Sequence, residues 1–144
     1  MNYITLAMAL EKHEYIIQVS GGLHGIVPDN QQHLESLLLF VQDDVYYPSF
    51  IEKLAFLTYM IAKDHIFIDG NKRTAIAIGA YFMAINDYDD LIPRYMAEME
   101  NYVVWAMENR INRDDLIEKI GFIILDVEET EEFTLRIINK ISDN

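Results

Sequence analysis

The sequence predicts an all-α fold, built as a single domain over residues 1–144. Six glycines and three prolines interrupt the chain at few places, so long helices are expected between these breaks. Apolar residues recur at helical spacing, and no convincing run of alternating strand residues occurs. Hydrophobic residues make up 51% of the chain, which is enough for one core and too few for two. Together these observations predict a helical bundle.

Two segments are apolar on every side, which is typical of helices at the centre of a bundle. The first follows Pro48, and the second spans residues 72–85. In the second segment, the small residues Ala77, Gly79 and Ala80 would allow a neighbouring helix to approach closely. We therefore expect these two helices to form the centre of the bundle and to hold the short segment between them.

The other predicted helices are amphipathic, with one apolar face packed on the centre. They lie near residues 96–107, 116–124 and 133–141. The glutamates of the stretch 128–132 precede the last helix, where their charge suits the positive end of the helix dipole. At most, residues 23–27 could make a short extended flap.

Charge and composition exclude several classes of function. The formal net charge is -13, and because nucleic-acid affinity depends largely on Lys and Arg, nucleic acid is not expected as a primary partner. Cysteine is absent, which excludes disulfides, thiolate nucleophiles and cysteine-ligated zinc. No apolar stretch approaches the roughly 18 to 20 residues of a membrane span, and the first residues lack a basic start. A cytosolic protein without a membrane partner is expected.

The segment between the two central helices, residues 64–75, is a short polar loop that runs directly into a helix start. The first N–H groups of a helix lack intrahelical partners and carry the positive end of the dipole, so they bind anions. Here they are expected to be the N–H groups of Gly70, Asn71 and Lys72, and the glycine lets a phosphate approach the backbone closely. Lys72 and Arg73 add two positive charges, which suit phosphoryl or nucleotidyl transfer.

Other side chains of this loop suit the same chemistry. His65 is a candidate general base, because an imidazole can take a proton from an attacking hydroxyl near neutral pH. Asp69 is either a Mg²⁺ ligand or a cap for the following helix. Phe67 is expected to anchor the loop in the core, and Asn71 serves either the substrate or the loop conformation. The remaining histidines lack metal-ligand spacing and are expected at the surface or in loops: His13, His24 and His33.

The loop resembles the signature of the Fic and Doc superfamily, which reads His-x-Phe-x-Asp/Glu-Gly-Asn-Gly-Arg in Fic proteins and ends Asn-Lys-Arg-Thr in Doc. The shared positions are filled by His65, Phe67, Asp69, Gly70, Asn71 and Arg73. The glycine pattern at 21–25 and the lead-in from residue 47 also resemble death-on-curing toxins. The resemblance covers roughly residues 15–110, with further helices over 111–144. It implies a Fic/Doc-like helical bundle whose active-site loop joins the two central helices.

Two departures from the Fic pattern are Doc-like, because Lys72 replaces the last motif glycine and Ile76 stands where a second arginine would follow. Fic proteins transfer AMP to a target hydroxyl. In Doc the lysine fills the glycine's space, and the γ-phosphate of ATP is transferred to a threonine of a translation elongation factor. The resemblance therefore implies a toxin kinase that uses ATP and Mg²⁺. It implies catalytic roles for His65, Lys72 and Arg73, nucleotide contacts from residues 70–73, and a metal ligand at Asp69.

Two alternatives remain open. Asp69, Gly70 and Asn71 match Fic proteins as well, so AMP or another nucleotidyl transfer is the second hypothesis. Ala77 stands where Doc has a polar asparagine, so a catalytically degenerate protein-binding module is the third. The glutamate pattern of self-inhibiting Fic proteins does not occur in either terminal region. Resemblance to Doc instead implies restraint by a separate antitoxin, bound in a groove of the bundle.

Overall fold

The computed structural model describes residues 1–142, and within that range it contains seven α-helices and no β-strand. The helices are α1 (Leu6–Ser20), α2 (Asn30–Phe40), α3 (Phe50–Lys63), α4 (Asn71–Ala84), α5 (Ile92–Met107), α6 (Arg113–Ile124) and α7 (Glu131–Ile141). An isolated β-bridge pairs Ile26 with Phe67, within the segment where the extended flap is predicted. The prediction of an all-α bundle is confirmed.

Local sequence signals explain where several helices begin. The side chains of Ser49 and Thr130 each accept a hydrogen bond from a main-chain N–H of the first turn, at the starts of α3 and α7. Asn112 opens α6 with a capping box. These contacts satisfy N–H groups that have no partner within the helix. Glu131 and Glu132 lie in the first turn of α7, so the predicted acidic helix start is confirmed.

Helices α3 and α4 form the centre of the bundle, as predicted. Helix α3 packs against α4, α5 and α6, and α4 packs in addition against α1. Burying each large aliphatic or aromatic side chain stabilises the fold by about 1.5–3 kcal/mol. The buried side chains of these two helices include Leu54, Leu57, Ile61, Ala75, Ile76, Ile78, Phe82 and Met83. Because both helices are fixed by the core, the loop that joins them is held at each end.

Gly79 lets α4 and α5 approach closely, which confirms the prediction made from the small residues of α4. A Cβ added at Gly79 would overlap the Tyr95 hydroxyl oxygen and would lie 2.8 Å from Cζ of the same ring. The Thr58 hydroxyl donates to the Leu54 carbonyl, so the Tyr95 hydroxyl donates to the Thr58 oxygen at 2.9 Å. A buried hydrogen bond thus joins α3 to α5 at the point where Gly79 of α4 approaches them.

A buried lysine joins the outer helices to the bundle. Lys119 on α6 donates to Glu98 of α5 at 2.6 Å and to Glu129, which precedes α7, at 2.8 Å. Burial alone would raise the pKa of Glu98, but the hydrogen bonds and charges of Lys119 and Arg94 outweigh burial and leave this pKa below its ordinary value. No helix in residues 1–142 has the length and apolar character needed to cross a membrane.

Candidate active site

The loop between α3 and α4, residues 64–70, is called the active-site loop below. Together with the start of α4 and the end of α5 it borders an open cleft of about 360 Å³. The residues that line the cleft are His65, Ile68, Asp69, Gly70, Asn71, Lys72, Arg73 and Met107. All six residues to which the sequence assigns catalysis, nucleotide contacts or metal binding therefore lie at one cleft. The active-site loop joins the two central helices α3 and α4, as the sequence predicts.

Phe67 anchors the active-site loop in the core, as predicted, because its side chain is only 2% exposed. Asn71 holds the loop backbone at the same residue: its Oδ1 accepts from the Phe67 N–H at 2.9 Å, and its Nδ2 donates to the Phe67 carbonyl at 2.9 Å. The Asn71 side chain is buried by this pairing. Of the two roles considered for Asn71, the geometry supports the conformational one and leaves its main-chain N–H for a ligand.

The start of α4 has the form of an anion site, with one correction to the sequence-based expectation. Gly70 has a φ of 74°, in the left-handed region that favours glycine. Its N–H donates to the Asp69 Oδ1 at 2.8 Å, so the prediction that this group would be available to an anion was wrong. Within residues 1–142, no acceptor is present for the main-chain N–H groups of Asn71, Lys72 and Arg73. The group of available donors therefore begins one residue later.

His65 is the exposed histidine at the other side of the cleft. Its φ of 48° places a non-glycine residue in the left-handed region, where backbone strain is expected. The side chain of Asn30, the first residue of α2, donates to the carbonyls of His65 at 3.3 Å and Ile66 at 3.2 Å and so holds this conformation. The imidazole has no hydrogen-bond partner in the described part of the chain. It is accessible to a substrate hydroxyl.

Asp69 is tied to the backbone of residues 21–27, which contain the predicted extended segment 23–27 and are called the flap below. Its Oδ2 accepts from the Leu23 N–H at 3.1 Å. The N–H groups of Leu23 and Gly70, in that order, hold the pKa of Asp69 below its ordinary value of 3.8, and the nearby Arg73 charge acts in the same direction. The carboxylate is therefore anionic at neutral pH. The Asp69 carboxylate accepts from the N–H of Gly70, the N-cap residue of α4. Among residues 1–142, no side chain accepts a hydrogen bond from the N–H groups of the first turn of this helix.

Replacing Asp69 with asparagine should make the unfolding temperature less dependent on pH in the acidic range. Since the folded-state pKa of Asp69 is lowered, its stabilising effect is fully present above the ordinary pKa and is lost as the pH falls through the folded pKa. We expect Asp69→Asn to unfold at a lower temperature than wild type near neutral pH. The difference should shrink as the pH falls from about 5 through the ordinary value of 3.8 and then through the lowered pKa of the folded protein. Thermal melts across this range provide the measurement. The control is Asp90→Asn, at an exposed carboxylate. If the unfolding temperatures of both variants depend on pH in the same way, the assigned role of Asp69 is contradicted.

The two basic residues of the site are held by different elements. Lys72 donates to Glu100 on α5 at 2.5 Å, in a partly exposed ion pair. The Arg73 guanidinium donates to the carbonyls of Ser20 at 3.3 Å and Gly21 at 3.5 Å, at the end of α1. A cation at a helix C-terminus is favourable because it faces the negative end of the dipole. Sequence reasoning missed Glu100, which carries no motif signal.

The flap lies against the active-site loop. The Ile68 N–H donates to the Gly25 carbonyl and the Val27 N–H to the Ile66 carbonyl, each at 3.3 Å. Gly22 has a φ of 126°, and a Cβ there would lie 2.8 Å from the Asp69 Oδ2. A glycine is thus required where the flap passes the Asp69 carboxylate. The short extended flap predicted from sequence is confirmed as a single bridge.

The expected position of one histidine was wrong. His24 and His33 are exposed, as predicted, and are bonded to Glu14 and Asp64, respectively. His13, in contrast, is buried on α1 and contacts the active-site loop. It occupies the same helical stripe as the buried Ala9 and Ile17, four residues to either side. That spacing is the signal from which its burial could have been predicted.

The chain matches a sequence model of a known protein family. The sequence model described as the Fic/DOC family matches residues 3–83, which is more than half of the chain. This range includes α1, the flap, the active-site loop and nearly all of α4. No curated protein matches the chain.

Proposed function

The chain belongs to the Fic/DOC family, and from this premise we propose that it is a Doc-like protein kinase. In this proposal it transfers the γ-phosphate of ATP to a serine or threonine hydroxyl, with a translation elongation factor as the expected target. Members of the family are typically transferases that act on proteins. The observation that carries the proposal is the cleft lined by His65, by the start of α4 with its three available N–H groups, and by Lys72 and Arg73.

In the proposed reaction the target hydroxyl oxygen forms a bond to the γ-phosphorus, and the bond from that phosphorus to the bridging oxygen of ADP breaks. His65 accepts the hydroxyl proton, which its exposed and unpaired imidazole permits. The N–H groups of Asn71, Lys72 and Arg73 and the two cationic side chains stabilise the charge on the phosphate oxygens. ADP leaves with the electron pair of the broken bond.

The residues present fit a hydrated Mg²⁺ held together with the nucleotide. Residues 1–142 contain no group of three or more histidine and acidic side chains that could hold a metal ion, so a cage made only of protein ligands is not expected. Mg²⁺ is often bound by one or two carboxylates together with substrate phosphates, and it keeps several waters. Asp69 is anionic, lines the cleft and has lone pairs beyond its two N–H contacts. When bound, Mg²⁺ would neutralise charge on the phosphates.

Nucleotidyl transfer is the second candidate, and one contact favours it. The Lys72 ammonium is paired with Glu100, so part of its charge is neutralised by α5 before any ligand binds. The kinase proposal requires this lysine at the phosphates, whereas Fic proteins have a glycine at the same position. If Lys72 stays paired with Glu100 when the nucleotide binds, the lysine does not contact the phosphates. The site then resembles that of Fic proteins, with Asp69, Gly70 and Asn71 in the shared positions.

We propose a separate antitoxin protein as the partner of this chain. The proposed location of both proteins is the cytosol. An apolar groove of about 340 Å³ lies between α1, α4 and α5. Tyr15 and Met96 are exposed at its border, and Ala77 and Tyr81 extend the face of α4 that begins at Arg73. An amphipathic segment of a partner could bury its apolar side chains there. Ala77 therefore contributes to an apolar surface rather than to a polar nucleotide contact.

A transfer assay with ATP labelled at either the α- or the γ-phosphate separates the candidates. Label from the γ-position alone supports the kinase, and label from the α-position supports nucleotidyl transfer. Calorimetry with Mg²⁺-ATP covers the third hypothesis, because a binding module without nucleotide affinity gives no heat. Candidate elongation factors serve as targets, and a target without hydroxyl side chains at the modified position is the control.

Replacing Lys72 with glycine is the sharpest variant for this assay. If Lys72 acts on the transferred phosphate, Lys72→Gly should lower γ-label transfer by about two orders of magnitude. Lys12→Gly, in the neighbouring groove, removes the same charge outside the cleft and should leave the transfer rate within about threefold of wild type. Equal γ-label transfer by Lys72→Gly and wild type would contradict the assigned role of Lys72.

A further inference from the structure

His13 lies directly beneath the active-site loop. The His13 side chain is 2% exposed, and its ring is nearly parallel to that of Phe67, with centroids 3.9 Å apart and planes inclined by 6°. Its Nε2 is 2.9 Å from the main-chain oxygen of Asp69. A carbonyl oxygen can only accept a hydrogen bond, so Nε2 carries the proton in this contact. His13 therefore contacts the loop at two points, one apolar and one polar.

The polar contact fixes one particular peptide unit. The Asp69 carbonyl and the Gly70 N–H belong to the same planar peptide. His13 donates to its oxygen, while the Asp69 carboxylate accepts from its nitrogen at 2.8 Å. The peptide is thereby held at both ends, immediately before the N–H groups of α4 that have no acceptor in residues 1–142. A glycine follows it, so without such contacts its rotation would meet little steric resistance.

We propose that His13 is a positioning residue, which fixes the Asp69–Gly70 peptide and thereby orients both the Asp69 carboxylate and the first N–H groups of α4. The claim about the loop rests on geometry alone. The claim that transfer depends on it rests on the proposed function. Without the His13 bond, rotation of the peptide would direct a carbonyl dipole into the space where the proposed phosphates bind, and it would release the carboxylate from the Gly70 N–H.

Three substitutions separate the polar contact from simple filling of space. His13→Phe keeps an aromatic ring against Phe67 and removes the donor. His13→Gln removes the ring and keeps an N–H group at a similar distance from the backbone. Ala9→Gly, one turn earlier on the same buried face of α1, weakens the helix without touching the loop. If His13 only fills space, His13→Phe should leave the active-site loop as well ordered as in wild type. If the hydrogen bond to Asp69 holds the loop, His13→Gln should disturb the loop less than His13→Phe does.

Amide hydrogen exchange of the folded protein, followed by mass spectrometry on peptides covering residues 64–73, tests the claim without requiring any catalytic activity. We expect exchange in this segment to rise by about tenfold or more in His13→Phe, to rise less in His13→Gln, and to remain near wild type in Ala9→Gly. Unchanged exchange in His13→Phe would overturn the inference. An equal rise in Ala9→Gly, showing that any weakening of α1 has the same effect, would also overturn it.

Where transfer activity is measured, the same variants test its dependence on the loop. The kcat of His13→Phe should fall by roughly ten- to a hundredfold, and the KM for the protein target should stay near wild type, because the target hydroxyl does not contact His13. His13→Gln should recover part of the loss. A kcat in His13→Phe equal to that of Ala9→Gly would contradict a positioning role. Loop exchange that rises in a protein without transfer activity would refute the proposed function and leave the structural claim standing.

Discussion

Replacing His65 with alanine is expected to lower the rate of phosphate transfer by about 10² to 10⁴-fold. His65 is the titratable side chain of the cleft that is both exposed and free of hydrogen bonds in the described residues, so it can meet an incoming hydroxyl. The variant removes the proton acceptor and leaves the α4 donors in place. Nucleotide affinity should therefore change little. Initial rates with labelled ATP, combined with calorimetric nucleotide binding, give both quantities.

The His65 result needs a control histidine, because loss of any exposed imidazole could alter solubility or local charge. His33 on α2 is also exposed and bonds to Asp64, but it does not line the cleft. His33→Ala should keep the transfer rate within about threefold of wild type. A His65→Ala enzyme with more than half of the wild-type rate would refute general-base catalysis by this residue. Loss of folding, checked by circular dichroism, is not expected because His65 is exposed.

Replacing Gly79 with alanine is expected to lower the free energy of unfolding by about 2 kcal/mol. The added Cβ would overlap the Tyr95 hydroxyl oxygen and approach Thr58 Oγ1 to 3.1 Å. Tyr95 is fully buried, so its ring can move only by disturbing α5. An alanine within a helix ordinarily gains about 1 kcal/mol over glycine, and here the overlap outweighs that gain. Chemical denaturation of both proteins measures the difference.

Gly121 offers a matched control within another helix, α6. A Cβ there would meet only Ile51 Cγ2, at the ordinary distance of 3.9 Å. Gly121→Ala should therefore raise the free energy of unfolding by about 0.5–1 kcal/mol. Adding Tyr95→Phe to Gly79→Ala removes the overlapping oxygen and should restore part of the lost stability. If Gly79→Ala and Gly121→Ala both stabilise the protein, the claim that Gly79 allows α4 and α5 to approach closely is contradicted.

The central fold and the cleft residues could be predicted from sequence because their determinants are local. Apolar residues on every side identified α3 and α4 as the centre. Apart from Met107 on α5, the residues that line the cleft come from one continuous segment, from His65 to Arg73. Close packing at Gly79 was also predictable, since a small residue in a central helix leaves space for a neighbour. In each case the signal lies within a few residues of the feature it predicts.

Contacts between distant segments could not be predicted. The rotation of α1 decides that His13 faces Asp69, and the position of α5 decides that Glu100 meets Lys72. Neither depends on a short motif. The Gly70 N–H was assigned to an anion because the sequence does not reveal that the adjacent Asp69 carboxylate turns back onto it. The His13 and Glu100 contacts depend on tertiary packing, and the Asp69 contact with its neighbour depends on a side-chain rotamer; local sequence patterns determine neither.

The central claim is that the start of α4 binds the phosphates of a nucleotide beside His65. A crystal structure of the protein with Mg²⁺ and a non-hydrolysable ATP analogue tests it most directly. The account predicts phosphate oxygens within hydrogen-bonding distance of the N–H groups of Asn71, Lys72 and Arg73, with the terminal phosphate nearest His65. A nucleotide bound elsewhere on the bundle at saturating concentration, with these N–H groups unoccupied, would contradict the account.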